Sequence, residues 1–414
     1  MDDAHTAGPS HRMAPLDQVF WKLQRHAPHQ ATLAVLAHLE GAVGSSELIE
    51  WHHGLIAAWP RLACRVADGR RPRWEPDPHF RVERHVSHVA VPYPPDDPRL
   101  DHLVHNLVNT SFPPDTAPWQ AYLIDGPDGN SAYLLKIAHA LTDGLRMVDL
   151  VRGRPSHIDA PAPRKHDTHL AHDGRLRRAL RWRRPAALLL SPDHRPAVRA
   201  SAARQYASFA FPLEQVRRTA LRTPAGSVND VLMHAIAHGL ARYRARYAGE
   251  SPRPLSVLTL VGRWPLSAPG VGNDLTFASF RLSGRHDGID SALRETRAAV
   301  TGAGGGHPPD VAALAARISP FVPGRTLVAS LNRLGRRHDF MITNVPAGRR
   351  PFSIAGAPVT AVYGIPPLLG TEMVTAVVPY RETCHLSVVT DPARITDIGA
   401  LVTCMRDALA ETTA

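Results

Sequence analysis

The feature that most constrains this chain is the stretch from Ser131 to Gly153, where a histidine separates two apolar segments. The run Ala132–Ala138 is short and apolar on both faces, which predicts a strand buried in a sheet. His139 ends this strand, and Asp143-Gly144 then turns the chain into a helix that the Asp143 side chain can cap. Because an imidazole titrates near neutral pH, a histidine at the mouth of a sheet is a candidate general base.

The other histidines weigh against a conclusion from this pattern alone, because the chain has 24 of them and Asp-Gly is an ordinary turn dipeptide. His52 and His53 lie on a predicted helix with no Asp-Gly after them, and we expect both on the surface. His166, His169 and His172 recur at a spacing that suits a metal, but no carboxylate or cysteine completes such a site. The sequence therefore predicts a solvated segment there and no metal centre.

Composition narrows the class of protein. At 414 residues the chain is long enough for two domains, and its hydrophobic fraction of 44% is ordinary for a globular protein. The net charge of +11 favours anionic partners: nucleic acid, an anionic membrane surface, an acidic carrier protein or a phosphate-bearing cosubstrate. An arginine-rich composition can also reflect genomic base composition, so the charge alone does not select among them.

The cysteines and the apolar runs indicate in which cellular compartment the protein is expected. Cys64, Cys384 and Cys404 show no CxxC spacing and no disulfide framework, which predicts reduced thiols. The N-terminus lacks the regions of a signal peptide, and no apolar run reaches the roughly eighteen residues that span a bilayer. We therefore expect a soluble, cytoplasmic protein. The basic segment Arg175–Arg184 predicts an amphipathic helix that docks on a membrane surface or an acidic partner, or else ties two domains together with its arginines in water.

Strand and helix patterns occur on both sides of a segment rich in proline, histidine and charge. We predict an N-terminal lobe of residues 1–151, a crossover linker of residues 152–204 and a C-terminal lobe of residues 205–414, both lobes being α/β. In the second lobe, a helix is expected to open near Ser227 with Asn229 or Asp230 as its cap. Gly302–Gly306 is expected to be a flexible connection.

Several short motifs, in order along nearly the whole chain, resemble those of the bacterial wax ester synthase/diacylglycerol acyltransferase family. Ala138–Gly144 is similar to the family's His-His-x-x-x-Asp-Gly motif except at its first position. The other similar segments are Pro15-Leu16-Asp17 with Phe20, Pro118-Trp119, Val228-Asn229-Asp230, Gly272-Asn273, Asn344-Val345-Pro346, Ala355-Gly356-Ala357 and Pro379-Tyr380.

This resemblance implies two chloramphenicol-acetyltransferase-like domains with mixed sheets, arranged as a pseudo-dimer around an active-site tunnel. His139 matches the catalytic histidine of the motif, and Ala138 stands where the family has its first histidine. Asp143 matches a structural aspartate, for which Arg263 is the candidate ion-pair partner across the interface. Gly144 would let the backbone turn tightly beside the substrate channel.

The resemblance also implies candidates for contact with the substrate. Asn344, or backbone N–H groups near Gly144, could donate to an oxyanion. Trp119 and Asn273 are further candidates for the channel or the oxyanion site.

The implied reaction moves an acyl group from a CoA or carrier-protein thioester to an alcohol or amine, with His139 as general base and no cofactor beyond the cosubstrate. The expected partners are that thioester, a small acceptor, and an acidic carrier protein or membrane surface at Arg175–Arg184; nucleic acid is not expected. Because Ala138 and a short linker depart from the lipid-making relatives, the sequence favours specialised acyl transfer in natural-product assembly over storage-lipid synthesis.

Two other hypotheses stay open at this point. The same fold could serve a cyclase, a dehydratase or a carrier-binding partner, because Ala138 replaces a motif histidine. Alternatively, the chain could be a basic interaction protein that binds nucleic acid or membrane through Arg175–Arg184.

Overall fold

The computed structural model describes residues 11–27, 31–69, 71–90, 98–126, 129–153, 203–222, 226–262, 273, 275–282, 288–305 and 311–414. Arg263, Arg175–Arg184 and the histidines at positions 166, 169 and 172 lie outside these ranges, so the interpretations that depend on them stay predictions. The strands of the described residues form two sheets of six strands and one of three.

The first six-stranded sheet carries the strand that precedes His139. In spatial order its strands are β12 (Ser353–Ile354), β13 (Ala357–Ile365), β2 (Thr32–Leu39), β7 (Ser131–Ala138), β6 (Trp119–Asp125) and β5 (Val86–Val89). The pairings are antiparallel except between β5 and β6, which run parallel. β7 is buried along its whole length, as its two-sided apolar sequence predicts.

This first sheet is completed by a hairpin from the second half of the chain. β12 and β13 are joined by Ala355-Gly356, whose φ angles of 48° and 84° give the tight turn of a two-residue hairpin. β13 pairs antiparallel with β2, with Tyr363 opposite Leu36. A segment of the predicted lobe of residues 205–414 therefore belongs to the sheet of the other lobe, which the sequence pattern did not reveal.

The second six-stranded sheet is also mixed. Its strands, in spatial order, are β10 (Leu275–Leu282), β9 (Leu255–Gly262), β11 (Phe340–Asn344), β14 (Met373–Tyr380), β15 (Thr383–Thr390) and β8 (Gln205–Pro212). β11 is parallel to both of its neighbours, and the remaining pairs are antiparallel. The predicted mixed α/β class is confirmed.

The remaining elements surround these sheets. The three-stranded sheet consists of β1 (His11–Arg12), β4 (Arg73–Pro76) and β3 (Cys64–Ala67). The described helices are α1 (Pro15–His26), α2 (Ser45–Ala58), α3 (Pro98–Asn109), α4 (Gly144–Val151), α5 (Leu213–Arg222), α6 (Val228–Tyr247), α7 (Ile289–Gly305), α8 (Val311–Ile318), α9 (Gly324–Gly335) and α10 (Ile398–Thr413). Short 3-10 helices span Pro60–Ala63 and Val82–Arg84.

Two packed interfaces join the halves of the chain. α1 from the first half packs against α8 and α9 from the second. Between the two large sheets, Leu36 and Leu134 of the first share one apolar cluster with Met341 and Val374 of the second. Burial of this apolar surface stabilises the contact between the lobes.

Two local predictions in the second half were wrong. The N-cap of α6 is Ser227, whose Oγ accepts from the N–H of Asp230 at 3.2 Å, while Asp230 Oδ2 accepts from the N–H of Ser227 at 2.9 Å. This reciprocal arrangement is a capping box. Gly302–Gly305 continue α7 instead of forming a flexible connection.

The prediction of free thiols at the three cysteines is confirmed.

Candidate active site

His139 lies directly after β7, where the first sheet meets α1. Its backbone N–H donates to the carbonyl oxygen of Ala31, just before β2, at 2.8 Å. Its ring stacks on the ring of Phe20 from α1, with centroids 3.8 Å apart and planes within 2° of parallel. Only 3% of the residue is exposed. The imidazole is therefore held both by the neighbouring strand and by a flat aromatic face.

Asn273 connects His139 to the second half of the chain. Its Nδ2 donates to the carbonyl oxygen of His139 at 2.8 Å and to Oδ1 of Asp17 at 2.8 Å. Its backbone N–H donates to the same Asp17 oxygen at 2.9 Å. Asp17 lies on α1 and is fully buried. A carboxyl group that accepts two hydrogen bonds from one residue orients that residue, so Asp17 and Asn273 join α1, His139 and the segment before β10.

Burial lowers the pKa of His139 from 6.5 to about 4, while its own backbone and the Asn273 side chain act in the opposite direction. The ring is therefore neutral at pH 7 and able to accept a proton. Burial raises the pKa of Asp17, opposed by the hydrogen bonds from Asn273. Among the described residues, no partner is found for His139 Nδ1, Asn273 Oδ1 or Asp17 Oδ2, so the cluster retains unused polar groups.

Asp143 and Gly144 turn the chain from His139 into α4. Asp143 is the predicted N-cap, with Oδ1 accepting from the N–H of Arg146 at 2.9 Å. Gly144 faces the other half of the chain, since a Cβ at this position would lie 3.3 Å from Cγ2 of Val345. The close approach of that valine, and not an unusual backbone angle, explains the glycine. The ion pair of Asp143 with Arg263 stays a prediction, because Arg263 is outside the described ranges.

Two other residues that the sequence predicted for the site form their hydrogen bonds with residues outside this cluster. Asn344, at the end of β11, is exposed, and its Nδ2 donates to Oδ1 of Asn229 at 2.5 Å. Trp119 is 1% exposed, and its indole N–H donates to the carbonyl oxygen of Leu62 at 2.7 Å. Trp119 thus packs in the core of the first lobe. Ala138 is fully buried within β7, opposite Thr32 of β2.

An apolar pocket, partly open to solvent, lies between α1 and the second half of the chain. Phe20 both lines this pocket and stacks on His139, so the pocket is linked to the imidazole through the ring of Phe20, and His139 itself is not a lining residue. Its lining residues are all apolar: Leu16, Val19, Phe20, Leu23, Leu258, Phe277, Ala315, Leu331, Leu334, Gly335 and Leu369. Such a lining suits an apolar ligand group.

The prediction that His52 and His53 both lie on the surface was wrong for His52. This residue is 1% exposed, and its Nδ1 donates to the carbonyl oxygen of Leu48 at 2.8 Å. Its Nε2 therefore accepts from the hydroxyl of Tyr133, at 3.1 Å. His53 is exposed as predicted.

Sequence reasoning noted Asp17 and Phe20 as part of a motif but assigned neither to the site. A signal was present in α1, where Asp17, Phe20 and Gln24 recur at positions i, i+3 and i+7. This spacing places all three on the face of the helix that carries Val19 and Leu23. An acidic side chain on a buried face requires a polar partner, and the partner of Asp17 is the side-chain amide of Asn273.

Two broader features of the chain bear on its chemistry. Within the described ranges, His, Cys, Asp and Glu side chains form no group of three that could hold a metal ion. Of the helices in this part of the chain, none combines the length and the hydropathy needed to cross a membrane.

Comparison with protein families gives two matches that cover most of the chain. Residues 13–199 match the wax ester synthase/diacylglycerol acyltransferase catalytic domain. Residues 271–413 match the C-terminal domain of the same family. The first match contains the Asp17–His139 site, and the second contains Asn273.

Individual relatives agree with this assignment. A candidate diacylglycerol O-acyltransferase of Mycobacterium bovis is 26% identical over 387 residues, covering 84% of this chain and 83% of the relative. The wax ester synthase/diacylglycerol acyltransferase of Marinobacter aquaeolei is 18% identical with a TM-score of 0.66, covering 97% and 98% of the two chains. The first condensation domain of the calcium-dependent antibiotic synthetase is 17% identical with a TM-score of 0.65, covering 98% and 96%. Both solved structures have the same two-lobed fold as this chain.

Proposed function

We propose that this chain, which belongs to the wax ester synthase/diacylglycerol acyltransferase family and is an acyltransferase, moves an acyl group from a thioester to a hydroxyl or amino group with His139 as the general base. The observation that carries this proposal is the position of the His139 ring. It is neutral at pH 7 and stacked on Phe20, which in turn lines an apolar pocket formed by both halves of the chain.

In the proposed reaction, His139 accepts the proton of the acceptor as its oxygen or nitrogen attacks the thioester carbonyl. A bond forms between the acceptor atom and the acyl carbon, and the bond from that carbon to sulfur breaks. The same proton then passes from the imidazolium to the departing thiolate. Both substrates meet at one histidine, so the mechanism requires no covalent enzyme intermediate.

Asp17 and Asn273 support this role by positioning the base. Asn273 holds the carbonyl oxygen of His139, and Asp17 holds Asn273 through two hydrogen bonds. These contacts fix the backbone of His139 before the substrates bind. Preorganisation of a general base reduces the entropy lost on reaching the transition state.

We further propose that the apolar pocket receives the acyl chain of the donor. Its eleven lining residues offer no charged group, and the pocket adjoins Phe20 beside the base. Each buried methylene contributes about 0.8 kcal/mol of binding, so thioesters with longer chains are expected to bind more tightly until the pocket is full. We propose that the donor is acyl-CoA or an acyl carrier protein, and that the acceptor is a small molecule of specialised metabolism. We also propose that the protein acts in the cytoplasm.

The test is the variant His139→Ala, assayed with a series of acyl thioesters and a hydroxyl or amino acceptor. Loss of a general base is expected to lower kcat/KM by about 10²- to 10⁴-fold. His53→Ala provides the control, since His53 is exposed. Turnover of His139→Ala within a few-fold of the wild type would remove this histidine from the base role. Products that lack an added acyl group would instead indicate a different reaction on the same fold.

A further inference from the structure

A serine and a histidine form a hydrogen-bonded pair in the second half of the chain, outside the Asp17–His139 site. Ser279, in β10, is exposed, and its Oγ lies 2.8 Å from Nε2 of His338. His338 follows α9 and is 5% exposed. Its other ring nitrogen, Nδ1, lies 3.1 Å from the carbonyl oxygen of Leu334.

These two partners determine how the His338 ring is used. A carbonyl oxygen can only accept a hydrogen bond, so Nδ1 carries a proton and donates to Leu334. In the neutral ring, Nε2 is then the acceptor, and the hydroxyl of Ser279 donates to it. A hydroxyl that donates to an imidazole, which is itself oriented by a third group, is the arrangement of an activated nucleophile.

The backbone around His338 is anchored by the next residue. Asp339 is fully buried, and its Oδ1 accepts from Arg244 and Arg253, each at 2.7 Å. Its backbone N–H donates to the carbonyl oxygen of Ser256, at the start of β9, at 2.7 Å. These contacts fix the chain at His338 against the second sheet, so the imidazole is positioned before any substrate binds.

His52 has the same hydrogen-bond pattern in a different setting. Its Nδ1 donates to a backbone carbonyl, and its Nε2 accepts from the hydroxyl of Tyr133. Tyr133 is fully buried, so no substrate can reach that hydroxyl, whereas the hydroxyl-bearing residue at position 279 is exposed. Exposure of the partner therefore separates Ser279 and His338 from a purely structural pair.

Ser279 lies on the face of the second sheet that borders the apolar pocket. It is opposite Leu258 of β9 and two residues after Phe277 in its own strand. Residues paired across antiparallel strands share a face, and so do alternate residues along one strand. Leu258, Phe277 and Leu334 all line the pocket. Ser279 is not a lining residue, but it occupies the next position toward solvent on the same face.

The location of β10 also offers donors for an oxyanion. Within the described part of the chain, β10 is the first strand of the second sheet and pairs with β9 alone. Alternate backbone N–H groups along such an edge strand point away from the sheet. N–H groups of this kind beside a nucleophile can stabilise the negative charge that develops on a carbonyl oxygen.

We propose that Ser279 and His338 form a second acyl-handling site, which hydrolyses an ester or thioester whose acyl chain lies in the apolar pocket. The pocket is lined at one side by Phe20, which stacks on His139, and at another by Leu258 and Phe277, which flank Ser279. The proposal shares with the proposed function only the acyl chain in this pocket. It requires neither His139 nor an acceptor other than water.

The reaction would take place in two steps. Oγ of Ser279 forms a bond to the acyl carbon while its proton passes to Nε2 of His338, and the bond from that carbon to the leaving oxygen or sulfur breaks as the leaving group takes the proton. Water then attacks the acyl carbon and gives a proton to His338. The bond from the acyl carbon to Oγ breaks, Ser279 recovers its proton from His338, and a carboxylic acid is released.

The experiment uses octyl fluorophosphonate, which replaces its fluoride with the oxygen of a nucleophilic serine, and hydrolysis of p-nitrophenyl octanoate. The wild type is expected to gain one adduct, mapped to Ser279 by mass spectrometry of its peptides. Ser279→Ala should lose the adduct and most of the ester hydrolysis. Ser353→Ala is the matched control, because Ser353 is also exposed in a strand at the edge of a sheet, and it should behave as the wild type.

His338→Gln separates activation of the serine from mere packing. Glutamine can keep a hydrogen bond with Ser279 but cannot take its proton, so labelling of the folded variant is expected to slow by about 10²- to 10⁴-fold. Labelling at the wild-type rate, in a variant shown to be folded by urea unfolding, would overturn the proposal. Ser279 would then serve only to satisfy a buried imidazole nitrogen.

The pocket is tested by chain length. The wild type is expected to react at least about tenfold faster with the octyl than with the ethyl fluorophosphonate, because the longer chain buries more apolar surface. Phe277→Ala should reduce that ratio several-fold. Equal rates with the two probes in the wild type would contradict the use of the pocket by this site.

The variants also separate this proposal from the proposed acyl transfer. His139→Ala is expected to keep the Ser279 adduct and the ester hydrolysis, and Ser279→Ala is expected to keep transfer to a hydroxyl or amino acceptor. Failure of His139→Ala to lower transfer would reject the proposed function and leave the second site in place. The second site is rejected if the wild type gains no adduct at Ser279, or if His139→Ala abolishes ester hydrolysis that Ser279→Ala retains.

Discussion

His139 and His52 are alike in the properties by which buried catalytic histidines are often recognised. They are 3% and 1% exposed, and burial lowers the pKa of each to about 4. Each ring is stacked on an aromatic side chain, His139 on Phe20 at 3.8 Å and His52 on Trp119 at 5.4 Å. Burial and a shifted pKa therefore do not distinguish the two residues.

The difference lies in what their ring nitrogens contact and where the rings lie. Both nitrogens of His52 are hydrogen-bonded inside the first lobe, to Leu48 and Tyr133. For His139, Nδ1 has no partner among the described residues, and the ring is stacked on Phe20, which lines a pocket between the halves. A histidine whose two ring nitrogens are both hydrogen-bonded in the core stabilises the fold. A histidine near a pocket with a ring nitrogen that lacks a hydrogen bond can take part in proton transfer.

The largest effect is expected when the two histidines are removed in turn. His52→Ala leaves the hydroxyl of Tyr133 and the carbonyl of Leu48 without their partner and creates a cavity, so the free energy of unfolding is expected to fall by about 2–5 kcal/mol. The activity of the folded fraction is expected to stay within about threefold of the wild type. His139→Ala also leaves a cavity beside Phe20 and is expected to lower the free energy of unfolding, but unlike His52→Ala it should show a large loss of kcat in the folded fraction.

Denaturant unfolding and kcat/KM per folded molecule, measured on both variants, check this contrast. If His52→Ala lost activity as strongly as His139→Ala while remaining folded, the distinction between a structural and a catalytic histidine would be lost. Such a result would make the core stack around Trp119 part of the active site.

A smaller effect is expected from the residues that hold His139. Asn273→Asp replaces the amide that donates to Asp17 with a second carboxylate, and repulsion between the like charges would then weaken the contact between α1 and the segment before β10. We expect kcat to fall by about 10- to 100-fold. Asp17→Asn is the matched control, because an amide oxygen can still accept both hydrogen bonds from Asn273.

Comparison of kcat with KM for these two variants decides whether Asn273 positions the base. The positioning role predicts a loss in kcat that Asn273→Asp shows and Asp17→Asn largely lacks. Equal losses in both, accompanied by equal losses of stability, would reduce the pair to a structural contact between the lobes.

Local sequence patterns predicted the elements around His139 well, for a physical reason. The strand that ends at Ala138, the Asp143 cap and the helix after it depend on neighbours within a few residues, and the structure confirms all three. Periodicity and capping are local properties that a single sequence displays.

What the sequence did not show depends on contacts between distant segments. The pairing of β13 with β2 joins residues more than 300 positions apart, and no local pattern encodes it. The Asp17–Asn273 contact spans 256 positions in the same way. Burial of His52 was missed because an exposed and a buried histidine look identical in a sequence, and the hydrogen bonds to Leu48 and Tyr133 that make its burial tolerable are not visible there.

The smallest effect tests whether the buried histidines are neutral in the folded state. His385 joins the comparison as a third residue whose pKa burial lowers to about 4, and both of its ring nitrogens lack partners among the described residues. Between pH 6.5 and pH 4 the unfolded chain binds a proton at each of these histidines that the folded chain does not. The free energy of unfolding should therefore fall as the pH falls through this window.

The slope for each such histidine is at most about 1.4 kcal/mol per pH unit, which sets the size of the expected change. In His52→Gln, an amide keeps hydrogen-bonding capacity but does not titrate, so urea unfolding across this window should show a slope lower by about that amount. Asp17, whose pKa is raised above 3.8, acts in the opposite direction, since the folded chain retains its proton to a higher pH than the unfolded chain does. Its contribution is common to the wild type and His52→Gln and cancels from the difference between them. An equal slope for those two would mean that His52 is protonated in the folded state, and the similarity to His139 that the comparison starts from would no longer hold.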